Sequence, residues 1–196
     1  ARRHAQALPR RRGVSGGIWL ARHGETDANA EGRVQGTIDP PLNERGREQA
    51  YALAREAASL ALRALYTSQL RRARETADIV GEELGLEPRV DARFAESWRG
   101  EWEGRLIADI KAEDPEGWQD SLAVEPGFRF PGGESLEEHA ARVEAALADV
   151  ARGPLPALVV CHGGTIRRAL AARSPERLTD LAVPNASLTL VGDAHS

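Results

Sequence analysis

The chain has 196 residues, a formal net charge of −4, and 41% hydrophobic and 29% charged residues, a composition typical of globular proteins. This length is sufficient for one domain with a core that needs no disulfide bonds. The apolar runs are only a few residues long, whereas a bilayer-spanning helix needs about 20, so a membrane protein is excluded. The single cysteine, Cys161, excludes a disulfide framework and any site built from several thiolates.

The start of the chain differs in charge from the rest. The first 17 residues carry five arginines and no acidic residue, so the remaining residues have a more negative net charge than the whole chain. This charge distribution argues against a domain that binds nucleic acid. We expect residues 1–17 to be an unstructured basic terminus, with an arm for an anionic partner as the alternative, and 18–196 to form one domain. No apolar stretch follows the arginines, which favours a cytoplasmic protein, and nothing in the sequence indicates an oligomeric state.

The hydrophobic pattern predicts an α/β fold. Strands are expected at 18–21, 64–66, 157–161 and 187–191, and helices at 43–62, 67–84, 104–113, 135–151 and between the third strand and about 172. Asn43, Ser68 and Ser135 are suited to begin helices, and Gly85 to end one. The alternation of strands and helices predicts a mainly parallel central sheet with helices on both faces. The segment 92–133, rich in glycine and proline, is expected to form a small irregular or helical cap.

Polar residues follow three of the predicted strands at their carboxyl ends. Arg22 and His23 follow the first strand, Ser68 follows the second with Arg72 in the next helical turn, and His162 follows the third. Because the carboxyl ends of parallel strands meet at one edge of a sheet, we expect these side chains to line one site. A glycine after each histidine allows a ligand to approach backbone N–H groups, and helix N-termini add positive potential. The sequence therefore predicts a site for a small, highly charged anion.

The same residues belong to a series of sequence blocks. The blocks are 22–26 with Asn29, 32–36, 68–73, Glu96 with 100–104, 133–135 and 160–164. In this order and at this spacing they resemble the signature of the histidine phosphatase superfamily, in its phosphoglycerate mutase-like branch. The resemblance extends over about 18–191, which is essentially the whole predicted domain.

This resemblance implies a role for each part of the predicted anion site. His23 is similar to the nucleophile, which attacks phosphorus to form a phosphohistidine that water then hydrolyses. Arg22, Arg72 and His162 are similar to the clamp that neutralises the phosphoryl oxygens in the transition state. The two arginines also favour an uncharged His23, because a like charge at about 4 Å costs about 4 kcal/mol at an effective dielectric constant of about 20.

Further site residues follow from the same resemblance. Glu96 is at the position of the general acid, which protonates the leaving alkoxide and then deprotonates the water. A bound phosphate dianion favours the proton that Glu96 has to donate. We expect Asn29, Gln35, Gly36 and Gly163 to contact the substrate, a small phosphorylated molecule. The resemblance implies neither a cofactor nor a metal ion.

Simpler interpretations of several residues stay open. An isolated histidine is most often an ordinary hydrogen-bonding residue, and imidazole is also a zinc ligand, although zinc usually needs several protein ligands and arginines repel it. Cys161 is expected in the core, because neighbours on a strand point to opposite faces and it therefore points away from His162. Glu101 or Glu103 could share the role given to Glu96, and His139 is expected to face solvent.

Aromatic residues are concentrated in the predicted cap. Six of the nine aromatic residues lie there, namely Phe94, Trp98, Trp102, Trp118, Phe128 and Phe130. They form either a small satellite core or the apolar wall of a cap that selects the organic part of the substrate.

Three functions are compatible with these residues. We favour a phosphoric monoester hydrolase, because the segment 97–133 is short and leaves a phosphohistidine open to water, whereas phosphoglycerate mutases carry longer insertions there. Phosphoryl transfer of the mutase type is the first alternative. A non-catalytic phosphate-binding module is the second, and the presence of the nucleophile, the clamp and the acid disfavours it.

Overall fold

A five-stranded sheet lies at the centre of the structure. The computed structural model describes residues 16–123, 127–173 and 182–193. Within these residues the strands are β1 Gly17–Arg22, β2 Ala64–Thr67, β3 Pro88–Val90, β4 Ala157–Cys161 and β5 Leu188–Asp193. Their order across the sheet is β3-β2-β4-β1-β5. Neighbouring strands are parallel except for β1 and β5, which are antiparallel.

The longer helices begin and end at residues whose side chains or backbone conformation suit these positions. Asn43 accepts a hydrogen bond from the Gly46 N–H, and Ser135 forms a capping box with Glu138, as predicted. Gly85 ends a helix with a φ of +67°, a conformation that glycine adopts at little cost. The described α-helices are α1 Asp27–Ala30, α2 Glu44–Ala57, α3 Arg71–Leu84, α4 Ile107–Glu113, α5 Pro115–Ala123, α6 Leu136–Ala151 and α7 Gly163–Ala171.

Helices cover the sheet on both faces. Neighbouring residues of a strand point to opposite faces, so Ala21 of β1 lies in the core cluster that contains Leu53 of α2. Leu20, beside it, lies in the second cluster, which contains Val143 of α6. Burial of one leucine side chain contributes about 1.5–3 kcal/mol, so these two layers supply much of the stability. The predicted mainly parallel α/β sheet with helices on both faces is confirmed.

The strand register brings three loops to one edge of the sheet. Arg22 of β1 lies opposite Cys161 of β4, and Thr67 of β2 lies opposite Val160 of β4. Because these three adjacent strands run parallel, the residues that follow them emerge at the same edge. This edge is where the predicted anion site has to form.

The segment 92–133 contains the predicted satellite core. Its buried residues cluster with others from outside the segment, and the cluster consists of Val34, Trp102, Ile110, Trp118, Phe130 and Leu136, with Phe128 packed against it. Two of the six aromatic residues lie elsewhere: Phe94 belongs to the core between the sheet and α6, and Trp98 is half exposed.

Several element boundaries differ from the predictions. The helix expected at 43–62 ends at Ala57 and continues as a short 3₁₀ helix, Ala58–Leu60, while α1, α5 and β3 were not predicted. Of the predicted basic terminus, residues 1–15 lie outside the described residues, and Gly17 already belongs to β1. The assignment of 18–196 to one domain stays a prediction. Among the described residues, none of the helices has the length and apolar character needed to span a bilayer.

Candidate active site

His23 lies buried just beyond β1, and both of its ring nitrogens have defined neighbours. Its Nδ1 is 2.7 Å from the carbonyl oxygen of Gly24, and its Nε2 is 3.3 Å from Nε of Arg72. A carbonyl oxygen only accepts hydrogen bonds, so Nδ1 carries the proton and Nε2 presents its lone pair. This is the tautomer that nucleophilic attack by Nε2 requires.

The backbone around His23 is tied to the segment that precedes β5. The Ala186 N–H donates to the carbonyl oxygen of Arg22 at 2.9 Å, and Nδ2 of Asn185 donates to the carbonyl oxygen of His23 at 3.0 Å. The guanidinium of Arg22 donates to the carbonyl oxygen of Val183 at 2.7 Å, while its buried Nε has no partner in the part of the chain that the structure describes. The position of the histidine loop therefore depends on residues far along the chain.

Arg72 is directed into the site by backbone carbonyl groups. It donates to the carbonyl oxygens of Ile38 at 2.7 Å and Gly36 at 2.8 Å, and only 1% of its surface is exposed. Its neighbour Arg71 is exposed and pairs with Glu75. The fixed guanidinium is thus available to an anion near His23.

Gly36 has a structural reason to be a glycine. Its φ is +55°, and a Cβ atom there would lie 2.1 Å from Oε1 of Glu103. Glu103 itself accepts a hydrogen bond from the Thr37 N–H at 2.7 Å, so it stabilises this loop. Because Glu101 and Glu103 are not among the residues that line the cavity described below, Glu96 is the better candidate for the acid.

His162 lies beside His23, with 5.1 Å between the ring centroids. Its Nε2 is 2.9 Å from Oγ of Ser68, and its buried Nδ1 has no partner among the described residues. Ser68 Oγ accepts a hydrogen bond from the Leu70 N–H at 3.2 Å, which leaves the hydroxyl proton for Nε2 of His162. Ser68 therefore orients His162. It is not the predicted N-cap, since α3 begins after Leu70.

Glu96 is held by two backbone N–H groups. Its Oε2 accepts from the Gly164 N–H at 2.9 Å, and its Oε1 accepts from the Ser97 N–H at 2.9 Å. The guanidinium of Arg99 is 3.6 Å from Oε2. A Cβ atom on Gly164 would lie 2.2 Å from Oε1, so the missing side chain makes room for this carboxylate.

A cavity of about 340 Å³ brings most of the predicted site residues together. Its wall includes Arg22, His23, Asn29, Gln35, Gly36, Arg72, Glu96 and Gly163. His162 does not line this cavity; it is fully buried next to His23. Oδ1 of Asn29 accepts from Thr26 and Asn185, which leaves its amide nitrogen for a ligand. Oε1 of Gln35 is buried and has no partner among residues 16–123, 127–173 and 182–193.

The site keeps both histidines uncharged. Burial first, and then the positive charges of Arg72 and Arg22, hold the pKa of His23 well below its usual value of 6.5. Burial and the charge of Arg72 lower the pKa of His162 in the same way. The predicted effect of the arginines is therefore present, but burial is the larger cause.

Glu96 is ionised in the free site. Burial alone raises the pKa of a carboxyl group, but the basic surroundings, first Arg99 and then His139 and His162, together with the hydrogen bond from the Gly164 N–H hold the pKa of Glu96 well below its usual value. A group that is to donate a proton needs the opposite shift, so any such shift has to come from the ligand.

The structure also places residues in the cavity that sequence analysis missed. His139, expected to face solvent, is buried with its Nε2 3.3 Å from Oγ1 of Thr165, and burial lowers its pKa to about 3. It lies on the same face of α6 as Leu136 and Val143, so the helical period contained the signal. Further cavity residues that the sequence analysis did not assign to the site include Ser97, Arg99, Ser121, Arg167 and Arg168.

Cys161 lies in the core, as predicted, with burial raising the pKa of its thiol. Within residues 16–123, 127–173 and 182–193, no group of three or more His, Cys, Asp or Glu side chains is placed to hold a metal ion.

Comparison with known proteins agrees with this geometry. The model of the histidine phosphatase superfamily (branch 1) matches residues 18–195. The probable phosphoglycerate mutase GpmB of Klebsiella pneumoniae is 41% identical over 150 residues, which cover 74% of this chain and 69% of that protein. The protein of the same name from Salmonella choleraesuis is 40% identical over 151 residues, with the same two shares.

Solved structures of two differently named enzymes are also similar. A mycobacterial glucosyl-3-phosphoglycerate phosphatase, in complex with VO3, has a TM-score of 0.79 and 34% identity, covering 88% of this chain and 90% of that one. Phosphoglycerate mutase from Thermus thermophilus has a TM-score of 0.73 and 35% identity, covering 88% and 91%. The family model spans nearly the whole chain, and these relatives agree with it, so the chain belongs to the histidine phosphatase superfamily.

Proposed function

We propose that this chain is a phosphoric monoester hydrolase that acts through a phosphohistidine at His23 on a small phosphorylated metabolite. The state of the His23 side chain carries the proposal: it is buried and neutral, Nδ1 is bound to the Gly24 carbonyl, and Nε2 faces Arg72. An imidazole in this state is a nucleophile next to a fixed positive charge.

Substrate binding is assigned to the arginines and the neighbouring polar groups. The phosphoryl dianion binds between Arg72 and His23 and replaces the 3.3 Å hydrogen bond that joins them in the free site. Nε of Arg22, which has no partner among the described residues, donates a hydrogen bond to the dianion. The amide nitrogen of Asn29 donates to a further phosphoryl oxygen, and His162 lies behind the cavity wall beside His23, with its Nδ1 unpartnered among the described residues. These donors compensate the negative charge on the equatorial oxygens.

The first chemical step transfers the phosphoryl group to the enzyme. The lone pair of His23 Nε2 forms the bond to phosphorus, and the bond from phosphorus to the ester oxygen breaks. Glu96 gives its proton to the departing alkoxide, so that an alcohol leaves. Because Glu96 is ionised in the free site, it takes up this proton with the substrate, whose negative charge raises the pKa of the carboxyl.

The second step reverses these roles with water as the acceptor. Glu96, ionised after the alcohol has left, removes a proton from water. The water oxygen bonds to phosphorus and the N–P bond breaks, which restores neutral His23 and releases inorganic phosphate.

Three observations bear on the choice between hydrolysis and mutase transfer. The short segment 97–133 of the sequence and the similarity to a mycobacterial phosphatase support hydrolysis. The curated relatives named probable phosphoglycerate mutase support transfer to a second acceptor. Exchange of phosphate between 2,3-bisphosphoglycerate and 3-phosphoglycerate at a rate above hydrolysis would make the chain a mutase.

The central experiment measures turnover and the covalent intermediate together. A panel of phosphate monoesters is assayed with and without EDTA, and a ³²P-labelled ester is quenched rapidly to trap labelled protein. His23→Ala should lower kcat/KM by about 10³-fold or more and abolish a label that is stable to alkali and lost in acid.

Arg71→Gln is the control, because it removes an exposed charge near the site without touching the cavity. It should keep the label and full turnover. An active His23→Ala enzyme, or a wild-type label bound elsewhere, would refute the proposal.

A further inference from the structure

The cavity is more positively charged than a single phosphoryl group requires. Six arginines and one glutamate line it within the described residues. Arg22 and Arg72 are assigned to the phosphoryl group, and Arg33 pairs with Glu31 at 2.7 Å. Arg99 pairs with Glu96 at 3.6 Å, and Arg167 and Arg168 also line the cavity.

Arg168 is buried with most of its hydrogen-bonding capacity unused. Only 3% of its surface is exposed, and a terminal nitrogen donates to the carbonyl oxygen of Ser121 at 3.3 Å. Within the described part of the chain, its Nε and its other terminal nitrogen have no hydrogen-bond partner, and none of the ion pairs there includes it. A buried guanidinium is rarely left without an anion, because loss of hydration has to be compensated.

The position of Arg168 on α7 indicates which part of a ligand it reaches. It follows Gly164 by four residues, which is one helical turn, and helical side chains lean toward the N-terminus of their helix. Gly164 is the residue whose N–H binds Glu96. Arg168 therefore lies on the side of the cavity where the general acid meets the leaving group.

The cap completes this part of the cavity. Ser121, which accepts the hydrogen bond from Arg168, and Trp118 both belong to α5 and line the cavity. The alcohol part of an ester bound at His23 is thus enclosed between α7 and α5.

We propose that Arg168 forms a second anion subsite, and that the substrate is a phosphate monoester whose alcohol part carries its own anionic group, a carboxylate or a second phosphate. The inference rests on the proposed function, since it identifies the alcohol part of that ester. Arg99 and Arg167 add positive potential around the same subsite.

Three esters with the same carbon skeleton test the subsite. 3-Phosphoglycerate carries a carboxylate, glycerol 1,3-bisphosphate carries a second phosphate, and glycerol 3-phosphate carries a neutral hydroxymethyl group. For the wild type, kcat/KM with one of the anionic esters should exceed that with glycerol 3-phosphate by about 10- to 100-fold, the range expected for a charge-assisted hydrogen bond. The preferred anionic ester identifies the second group.

Arg168→Gln should bring this selectivity ratio close to one, and Arg168→Lys should restore part of it. Arg173→Gln is the matched control, because Arg173 lies just beyond α7 and pairs with Glu144 at the surface. It should leave the ratio unchanged. A wild type that prefers the neutral ester, or a ratio that Arg168→Gln does not alter, overturns the subsite while the hydrolase function stands.

Binding measurements separate the two proposals. If the wild type hydrolyses none of the esters, the proposed function fails, but calorimetry with His23→Ala still tests the subsite. Arg168→Gln in this background should raise the Kd of the preferred anionic ester by about tenfold or more, at an unchanged melting temperature. An equal Kd in the two proteins overturns the subsite.

Discussion

His23 has to meet two demands that oppose each other at the scale of a single residue. As the proposed nucleophile it has to lie close to arginines that would bind the phosphoryl dianion, and it has to stay unprotonated so that Nε2 could attack. Both demands are met by the same neighbours, because burial and the charges of Arg72 and Arg22 each disfavour the imidazolium form. The Gly24 carbonyl then selects the tautomer.

Glu96→Gln tests the role of the general acid. We expect kcat/KM for an alkyl ester such as glycerol 3-phosphate to fall by about 10²-fold or more, because an alkoxide leaves poorly without a proton. The loss with p-nitrophenyl phosphate should be less than about tenfold, since p-nitrophenolate needs no proton to leave. Steady-state assays of both esters with both proteins measure the difference, and equal losses would contradict the role.

At the scale of an element, the first turn of α7 combines several functions in a few residues. His162 precedes the helix, the Gly164 N–H binds Glu96, and Arg168 follows one turn later. The two glycines differ in their surroundings: a Cβ atom on Gly164 would meet Glu96 at 2.2 Å, whereas one on Gly163 would be 3.8 Å from Nε of Arg22.

This difference predicts unequal effects of two neighbouring substitutions. Gly164→Ala should displace the Glu96 carboxylate and lower kcat/KM for alkyl esters by about 10- to 100-fold. Gly163→Ala, with a Cβ atom at ordinary contact distance, should cost clearly less. Alanine favours a helix over glycine, so a weakened helix would not explain either loss. Kinetic assays on both variants measure these losses. Equal losses in kcat/KM would contradict a displaced Glu96 carboxylate as the cause.

Local chemistry explains which elements were predictable. Asn43, Gly85 and Ser135 act through contacts within a few residues, so the sequence alone located these helix ends. The strand β3 has three residues and two of them are exposed, which leaves no apolar run to detect. Ser68 was predicted to begin a helix, but the helix begins after Leu70. The hydroxyl of Ser68 instead contacts His162, a partner distant in sequence.

The site residues were predictable where they lie in contiguous sequence blocks, and not where their roles depend on tertiary packing. Residues in contiguous blocks, such as Arg22 with His23, could be recognised, and their convergence followed from parallel strands. His139 and Arg168 were missed because their roles depend on the packing of α6 and α7 against the cap. His139 nevertheless lies at a buried position of the helical period, between Leu136 and Val143.

The whole molecule consists of two core layers around the sheet and a satellite core in the cap. The cavity lies where the sheet edge meets this cap, and Trp118 and Phe130 belong both to the satellite core and to the cavity wall. Trp118 and Phe130 therefore combine the two predicted roles of the cap aromatics, as part of a satellite core and as part of the apolar cavity wall. Three histidines from separate parts of the fold, His23, His139 and His162, are buried around this junction.

These histidines predict how stability depends on pH. The folded protein lowers their pKa values, so the unfolded chain, with values of about 6.5, binds more protons below that pH. Their contribution is complete above about pH 6.5 and is lost as the pH falls. Each histidine adds about 1.4 kcal/mol per pH unit, so the free energy of unfolding should fall by up to about 4 kcal/mol per unit.

Denaturant titrations between about pH 7 and pH 5 measure this slope. His139→Gln should reduce it by about 1.4 kcal/mol per unit, whatever its effect on stability at neutral pH. A free energy of unfolding that is constant over this range would contradict neutral burial of the histidines.

The hydrogen bonds that join Val183 and Asn185 to the histidine loop span 161 and 162 positions of the chain. While a ribosome is still synthesising the protein, a nascent polypeptide that ends before these late residues lacks both hydrogen bonds and holds the histidine loop less firmly. We therefore expect the proposed turnover to appear only after that segment has left the exit tunnel.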